Sequence, residues 1–152
     1  MPSATSIREI DRDSAMVLDS LMAQEPEGYL HYLTAFRSPR SLTWQSSRAK
    51  KDRYAGIWQG TELAGFYCLR GLDEGYQRPS FGIYIRSSCA GRGLARQALE
   101  DAYDWCRRNG YTRLMLKVYP ENTAAYRVYS GQGFVEIGKS PDSQLIMEKV
   151  LV

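Results

Sequence analysis

The sequence predicts an α/β (α+β) fold with a mixed, mostly antiparallel central sheet that is flanked by helices. The first observation is the order of hydrophobic patterns, which we assign as β-α-α-β-β-β-α-β-α-β-β. The second is composition: 43% of the residues are hydrophobic and 24% are charged, which is typical of globular proteins. The third is the length of 152 residues, the size of one ordinary domain. We therefore expect one domain over residues 1–152, with helices covering the faces of the sheet.

The first third of the chain predicts a strand and two helices. Residues Ile7 to Ile10 form a short β-rich run, and Asp13 or Ser14 can cap a helix that continues to Gln24. Apolar residues at helical spacing between Tyr29 and Phe36 predict a second helix. The segment from Arg37 to Arg53 is rich in Arg and Lys, and two interpretations are open. It is a solvated connector, or it is a basic rim that meets a negatively charged substrate or cofactor.

The rest of the chain alternates strand and helix patterns. A helix pattern begins at Leu94 and ends at Asn109-Gly110, and a shorter one covers Asn122 to Ser130. The β-rich runs are Tyr54–Trp58, Leu63–Leu69, Phe81–Arg86, Leu114–Val118, Phe134–Gly138 and Gln144–Val150.

Composition excludes several classes of function. The net charge of +3 is too small to indicate nucleic-acid binding. Three widely spaced cysteines indicate free thiols, and with a single histidine a zinc site is not expected. The sequence contains no run of about 18 apolar residues, so we expect no membrane span. We therefore expect a cytoplasmic protein without metal, as a monomer or homodimer.

A glycine-rich turn joins the run Phe81–Arg86 to the helix that starts at Leu94. It reads Gly91-Arg92-Gly93-Leu94-Ala95 and is followed by Arg96. Free backbone N–H groups at a helix start bind phosphate oxygens, and glycine lets an anion approach them closely. Both arginines add positive charge at the same end. On its own, the segment is either a phosphate-binding turn or a purely structural turn between strand and helix.

Two common phosphate-binding motifs do not fit this turn. A P-loop requires a Gly-Lys-Ser/Thr sequence, which is absent. A dinucleotide fingerprint requires Gly or Ala where Arg96 stands, and an acid at the end of the next strand, which ends in Lys117-Val118-Tyr119.

A second motif about thirty residues downstream changes the interpretation of the turn. Asn122, Ala125, Tyr129, Gly133 and Phe134 stand in the pattern N-x2-A-x3-Y-x3-G-F. With both motifs in this order, the chain resembles the GCN5-related N-acetyltransferase (GNAT) superfamily over roughly residues 54–150. The resemblance implies a GNAT-like acyl-CoA acyltransferase fold and transfer of an acetyl group from acetyl-CoA to a primary amine.

The resemblance also implies roles for individual residues. The turn would bind the pyrophosphate of coenzyme A through its backbone, although Ala90 stands where the family usually has Gln or Arg. The strand before the turn would pair with the pantetheine arm, and Tyr129 would be the general acid that protonates the leaving thiolate. The residues expected to bind the cosubstrate are Ile83, Tyr84, Ile85, Gly91, Arg92, Gly93, Leu94, Ala95, Arg96, Asn122 and Tyr126.

The acceptor side is less determined. Similar enzymes often have a glutamate on the strand before the turn, but the corresponding residue here is Ser80. Glu74, Asp73 and His31 are candidate substitutes for this base, with Glu74 taken as the catalytic candidate, and loss of the amine proton to water is an alternative. We expect His31, Tyr32 and Asp73 to contact the acceptor.

Several functional alternatives are open from sequence alone. A small-molecule amine is favoured as the acceptor, with an acidic one such as an amino-sugar nucleotide suggested by the basic segment. The chain could also be a non-catalytic coenzyme A-binding sensor or interaction module, or an acetyltransferase of protein N-termini or lysines.

Overall fold

The computed structural model describes residues 4–33 and 41–151, which form seven strands, four α-helices and a short 3-10 helix at Ser87–Cys89. The strands are β1 (Thr5–Glu9), β2 (Arg53–Gln59), β3 (Glu62–Arg70), β4 (Ser80–Ile85), β5 (Arg113–Val118), β6 (Val135–Lys139) and β7 (Leu145–Val150). The helices are α1 (Arg12–Ala23), α2 (Leu42–Arg48), α3 (Leu94–Arg108) and α4 (Thr123–Gly131). None of these helices is both long and apolar enough to cross a membrane.

The seven strands form one sheet in the order β1-β2-β3-β4-β5-β7-β6. Every neighbouring pair is antiparallel except β4 and β5, which are parallel. The predicted α/β class, with a mixed and mostly antiparallel sheet, is confirmed.

Hydrophobic clusters cover both faces of the sheet. On one face α3 packs through Leu94, Ala98, Leu99 and Ala102 against β4 and β5. On the other face α1 packs through Ala15, Leu18 and Met22 against Tyr54, Phe66, Cys68 and Tyr84. Because side chains alternate along a strand, β4 contributes Phe81, Ile83 and Ile85 to the α3 face and Tyr84 to the α1 face.

The prediction for the second helix was wrong in position. Residues 27–32 form successive turns, with N–H groups bonding three residues back, as from His31 to the carbonyl of Gly28. Residues 34–40, which include Phe36, lie outside the described part of the chain. The helix forms instead at Leu42–Arg48, within the segment predicted to be a connector.

Two caps explain why a helix begins at Leu42. The Ser41 side chain accepts a hydrogen bond from the backbone N–H of Trp44. The carboxylate of Asp19, on α1, accepts hydrogen bonds from the N–H groups of Leu42 and Thr43 at 2.8 and 2.9 Å. The second cap comes from a residue more than twenty positions away, so the local sequence does not contain it.

Candidate active site

The two parallel strands β4 and β5 are joined only where they begin. Ser80 and Met115 are the paired positions, and the N–H of Met115 donates to the carbonyl of Pro79 at 3.0 Å. Beyond this point the strands diverge and leave a cleft of about 520 Å³. Its lining consists of Tyr29, Leu30, Tyr32, Leu33, Phe81, Gly82, Ile83, Tyr84, Ile85, Lys117, Val118, Tyr119, Asn122, Ala124, Ala125, Tyr129 and Gln144.

Backbone groups of β4 face this cleft in an alternating pattern. The N–H of Arg86 donates to Ala64 on β3 at 2.8 Å, whereas the carbonyl of Pro79 points to β5. Since backbone groups alternate in direction along a strand, those of Ile83 and Ile85 point into the gap. The backbone groups of Tyr84 point to β3, so only its side chain can contribute to the cleft.

One of these backbone groups already has a partner. The hydroxyl of Tyr29, in the turns that follow α1, donates to the carbonyl of Ile85 at 2.5 Å. Tyr29 therefore lies across the end of β4, where that strand leaves the cleft for the glycine-rich turn.

The glycine-rich turn presents free backbone donors. Gly91 and Gly93 have φ values of 78° and 75°, and a Cβ built on either would meet no atom within 4 Å. Gly93 is the N-cap of α3 and no side chain caps that helix. The N–H groups of residues 91–96 donate no hydrogen bond within the described chain. Open donors at the N-terminus of a 15-residue helix suit an anion.

The two arginines of the turn differ in their surroundings. The Arg92 guanidinium donates to Gln59 Oε1 at 2.6 Å, Glu62 Oε1 at 3.1 Å and the carbonyl of Ser88 at 3.1 Å. Arg96 forms an exposed pair with Glu100. Arg92 therefore has three protein acceptors that an anionic ligand would have to replace or share.

Tyr129 occupies the cleft wall opposite β4. Its ring makes edge contacts with Phe81 and Phe134, at centroid distances of 6.4 and 5.8 Å. Burial raises the pKa of Tyr129 to about 12, so the phenol stays protonated at neutral pH. Its hydroxyl makes no hydrogen bond to any residue described in the structure, which leaves it available to a ligand.

The other residues predicted on α4 lie at its start and along its core-facing side. Asn122 lines the cleft as the N-cap, with its side-chain oxygen 3.4 Å from the N–H of Ala125. Tyr126 packs against the core cluster and does not line the cleft.

Of the four residues predicted for the acceptor side, the structure brings one to the cleft. Tyr32 lines it, and its ring lies 5.5 Å from that of Tyr119. His31 makes an edge contact with Tyr32 but is itself exposed and outside the lining. Glu74 is exposed in the loop after β3 and does not line the cleft.

Asp73 has a structural use instead. Its carboxylate accepts hydrogen bonds from the backbone N–H groups of Lys50, Lys51 and Asp52, which hold its pKa below the usual range although burial opposes this. The Asp52 carboxylate in turn accepts from the N–H groups of Leu72 and Asp73. The two aspartates fasten the α2–β2 connection to the loop after β3, and Asp73 is not a cleft residue.

The basic segment does not form a rim of the cleft in its described part. Arg48 stacks on Trp44, with 4.5 Å between the guanidinium carbon and the ring centroid. Arg53 pairs with Asp101 on α3 at 3.2 Å and donates to Tyr67. Residues 41–53 supply none of the cleft lining, and Arg37 and Arg40 lie outside the described residues.

One carboxylate that the sequence analysis missed is attached to the cleft wall. Glu25 accepts a hydrogen bond from the Tyr84 hydroxyl at 2.5 Å, and from the N–H and hydroxyl of Ser87 at 3.0 and 2.6 Å. Burial opposes ionisation, but these donors outweigh it and lower the pKa of Glu25. Its partners lie about 60 residues further along the chain, so no local motif indicated it.

Comparison with known proteins agrees with the two motifs. Residues 14–134 match the family model described as "Acetyltransferase (GNAT) family", which confirms the resemblance. An N-acetyltransferase of Bacillus subtilis strain 168, YsnE, described as uncharacterized, is 26% identical over 133 residues, covering 80% of this chain and 87% of YsnE.

Solved structures share the fold. YncA from Salmonella typhimurium, a putative acetyltransferase with its cofactor acetyl-CoA, superposes with a TM-score of 0.75 at 19% identity, covering 99% of this chain and 95% of YncA. PaiA N-acetyltransferase from Thermoplasma acidophilum, in complex with coenzyme A, gives a TM-score of 0.77 at 17% identity. The alignment covers 97% of this chain and 99% of PaiA.

Proposed function

We propose that this chain, which belongs to the acetyltransferase (GNAT) family and is an acetyl-CoA-dependent acyltransferase, acetylates a primary amine of a small molecule. We place this reaction in the cytoplasm. The free backbone donors of residues 91–96 follow β4 in the chain but are not part of the cleft lining. The observation that carries the proposal is the cleft between β4 and β5, which Ile83, Ile85 and Tyr129 line. Its volume of about 520 Å³ lies in the range of small-molecule sites.

The donor would lie along β4. In this proposal the free N–H groups of residues 91–96 bind the pyrophosphate, and the backbone groups of Ile83 and Ile85 pair with the pantetheine arm as an added strand would. The Asn122 side chain contacts the donor at the start of α4. Tyr29 must release the carbonyl of Ile85 if the pantetheine is to use it.

The reaction we propose is direct transfer. The amine nitrogen attacks the thioester carbon, and a β4 backbone N–H stabilises the oxyanion of the tetrahedral intermediate. The intermediate then collapses, so that the carbon–sulfur bond breaks and the thiolate takes the Tyr129 phenol proton. The proton that the nitrogen loses as the amide forms restores the Tyr129 phenol. Since the thiolate forms in the same desolvated cleft, its own proton affinity rises, which reduces the mismatch with a phenol pKa of about 12.

The acceptor amine must lose a proton before it attacks. We propose that it leaves to water, or through the Tyr84 hydroxyl to Glu25, which passes the proton on to solvent because its lowered pKa does not favour holding it. This assignment is supported by the 2.5 Å bond that joins Glu25 to a cleft-lining side chain. Glu74, our candidate from sequence, has no contact with the cleft and is not part of this route.

A panel assay tests the proposal. Purified protein is given acetyl-CoA with single amines, including amino acids, amino sugars, an amino-sugar nucleotide, aralkylamines, spermidine and a peptide N-terminus, and free thiol is measured. We expect amine-dependent thiol release with at least one small acceptor and the matching N-acetyl product by mass spectrometry. Tight coenzyme A binding without amine-dependent release would instead indicate the non-catalytic sensor.

A further inference from the structure

The cleft lies at a gap in the sheet, so its lining comes from both faces, one covered by α3 and the other by α1. Leu114, Leu116 and Val118 of β5 belong to the core cluster under α3, so Lys117 lies on the opposite, α1 face. Tyr84 is on that same face, and Leu30 and Leu33 pack on the cluster beneath α1. We call this side, formed by Tyr29, Tyr32, Tyr84, Lys117 and Tyr119, the acceptor wall.

The acceptor wall is aromatic. Tyr32 and Tyr119 lie 5.5 Å apart between ring centroids, which joins the turns after α1 to the end of β5. Tyr84 of β4 lines the same side of the cleft, but only 3% of its surface is exposed and its ring packs on Phe66. An apolar or aromatic body would bury its surface here.

The charge of the wall is positive. Lys117 is the one charged residue among the described lining residues. It is exposed, and its ammonium makes no ion pair within 4 Å in the described chain. Hydrogen bonds from Ser140 and Gln144 lower the pKa of the Asp142 carboxylate, and the positive charge of Lys117 lowers it further.

No acidic residue balances Lys117 in the lining. The chain has 17 Asp and Glu residues, all of them within the described ranges, and none lines the cleft. The undescribed residues 34–40 contain two arginines and no acid. A cationic body such as a polyamine would therefore meet the Lys117 ammonium and no carboxylate in the lining, since Glu25 behind Tyr84 and Asp142 near Lys117 are not lining residues.

We infer that the acceptor carries a carboxylate on an apolar or aromatic body, as amino acids with such side chains do. The carboxylate pairs with Lys117 while the body packs on Tyr32 and Tyr119, which leaves the amine on the Tyr84 side of the cleft. The single ammonium of Lys117 matches the single charge of a carboxylate. This inference rests on the proposed function and specifies its acceptor.

Acceptor pairs that differ only in the carboxylate test the inference. Phenylalanine is compared with phenethylamine and leucine with isopentylamine, and spermidine is added as a polycation. The variants are Lys117→Met, which removes the charge but keeps a long stem, Lys117→Arg, which keeps the charge, and Lys139→Met on the exposed strand β6 as the control. We measure kcat/KM for each acceptor and KM for acetyl-CoA.

We expect the wild type and Lys139→Met to prefer each amino acid over its decarboxylated partner by about 10-fold or more. Lys117→Met should lose most of that preference because kcat/KM falls for the amino acids alone, and Lys117→Arg should keep the preference.

Equal or better use of the decarboxylated amines or spermidine by the wild type overturns the inference and leaves the proposed function intact. So does a rise in acetyl-CoA KM in Lys117→Met with the preference unchanged, since Lys117 would then serve the donor. Absence of thiol release with every amine rejects the proposed function and, with it, the inference.

Discussion

The hydroxyl of Tyr84 donates a 2.5 Å hydrogen bond to the carboxylate of Glu25, which fastens the end of α1 to the strand that borders the cleft. Glu25 also accepts two hydrogen bonds from Ser87, just before the glycine-rich turn. One side chain thus joins the acceptor wall, the edge of β4 and the approach to the donor turn. Its removal should affect both stability and turnover.

We predict that Glu25→Gln lowers the free energy of unfolding by about 1–3 kcal/mol at pH 7, because hydrogen bonds to a carboxylate are stronger than those to an amide. Burial opposes ionisation, but the hydrogen bonds from Ser87 and Tyr84 lower the pKa of Glu25 below its ordinary value in the folded state. The stabilisation is therefore complete above that value and is lost as the pH falls through the lowered pKa. Urea unfolding of both proteins between pH 3 and pH 7 measures it.

Glu27→Gln, two residues along in an exposed position, is the matched control and should change stability by no more than a few tenths of a kcal/mol. A Glu25→Gln deficit that stays constant down to pH 3 would contradict the assignment of the effect to the carboxylate charge.

For turnover, Tyr84→Phe breaks only the hydroxyl bond. If the proposed proton route is used, kcat should fall and the acid limb of the pH profile should change.

A close approach between β3 and β4 fixes the edge of the cleft. A Cβ built on Gly65 would lie 2.0 Å from the carbonyl oxygen of Tyr84 and 3.0 Å from the Cα of Ile85. Both are backbone atoms, so relief requires β4 to move. We predict that Gly65→Ala destabilises the fold by about 1–3 kcal/mol and raises KM for acetyl-CoA, as measured by urea unfolding and steady-state kinetics.

Gly138→Ala is the control for Gly65→Ala. Gly138 is also a strand residue without positive φ, but a Cβ there meets nothing within 4 Å. The added methyl group should leave KM unchanged and alter stability little. Equal effects of the two substitutions would show that the cost belongs to glycine in strands generally and not to the approach of β3 to β4.

The fold and the donor motifs could be predicted because their signals are local. α3 follows from apolar residues at helical spacing after Gly93, and its end follows from Asn109-Gly110, where Gly110 has a φ of 82°. The glycines at 91 and 93 do adopt positive φ, as a turn open to an anion requires. In these places the residue types and the structure depend on the same few neighbours.

Long-range polar contacts explain what the sequence did not predict. α2 begins where Asp19 caps it from α1, and Asp73 is bound to the backbone before β2 rather than to a ligand. Glu25 contacts Tyr84 and Ser87, which lie about 60 residues further along the chain. A carboxylate that caps a distant loop and one that faces a substrate look alike in the local sequence. The sequence therefore suggests Asp73 and Glu74 for the acceptor side and gives no sign of Glu25.

Removal of the Tyr129 hydroxyl tests the general acid. We predict that Tyr129→Phe lowers kcat by about 100-fold or more, with little change in KM for acetyl-CoA and in stability, because the ring contacts with Phe81 and Phe134 remain. The pKa of about 12 also predicts that this phenol causes no loss of rate between pH 6 and pH 10. Steady-state kinetics across this pH range checks both statements.

Tyr126→Phe on the same helix is the control for Tyr129→Phe, since Tyr126 does not line the cleft. It should retain the wild-type kcat. If Tyr129→Phe keeps its rate as well, Tyr129 has a packing role and the thiolate receives its proton from water.

Arg92 offers a test of how the turn holds the donor. Its guanidinium lies 3.1 Å from Glu62, and Glu62 is also 3.9 Å from Arg86, so one carboxylate holds two cations beside the turn. A pyrophosphate that binds the turn competes with Glu62 for Arg92. We predict that Glu62→Gln lowers KM for acetyl-CoA by up to about 5-fold, the strength of an exposed ion pair.

Glu100→Gln provides the comparison for Glu62→Gln, because it frees Arg96 from a more exposed ion pair in the first turns of α3. If any added positive charge near the helix start improved binding, both variants would lower KM alike, and raised salt would remove both gains. A gain in Glu62→Gln alone indicates that Arg92 is the side chain that reaches the donor. A rise in KM in Glu62→Gln would contradict competition, since Glu62 would then be holding Arg92 in the geometry that binds the pyrophosphate.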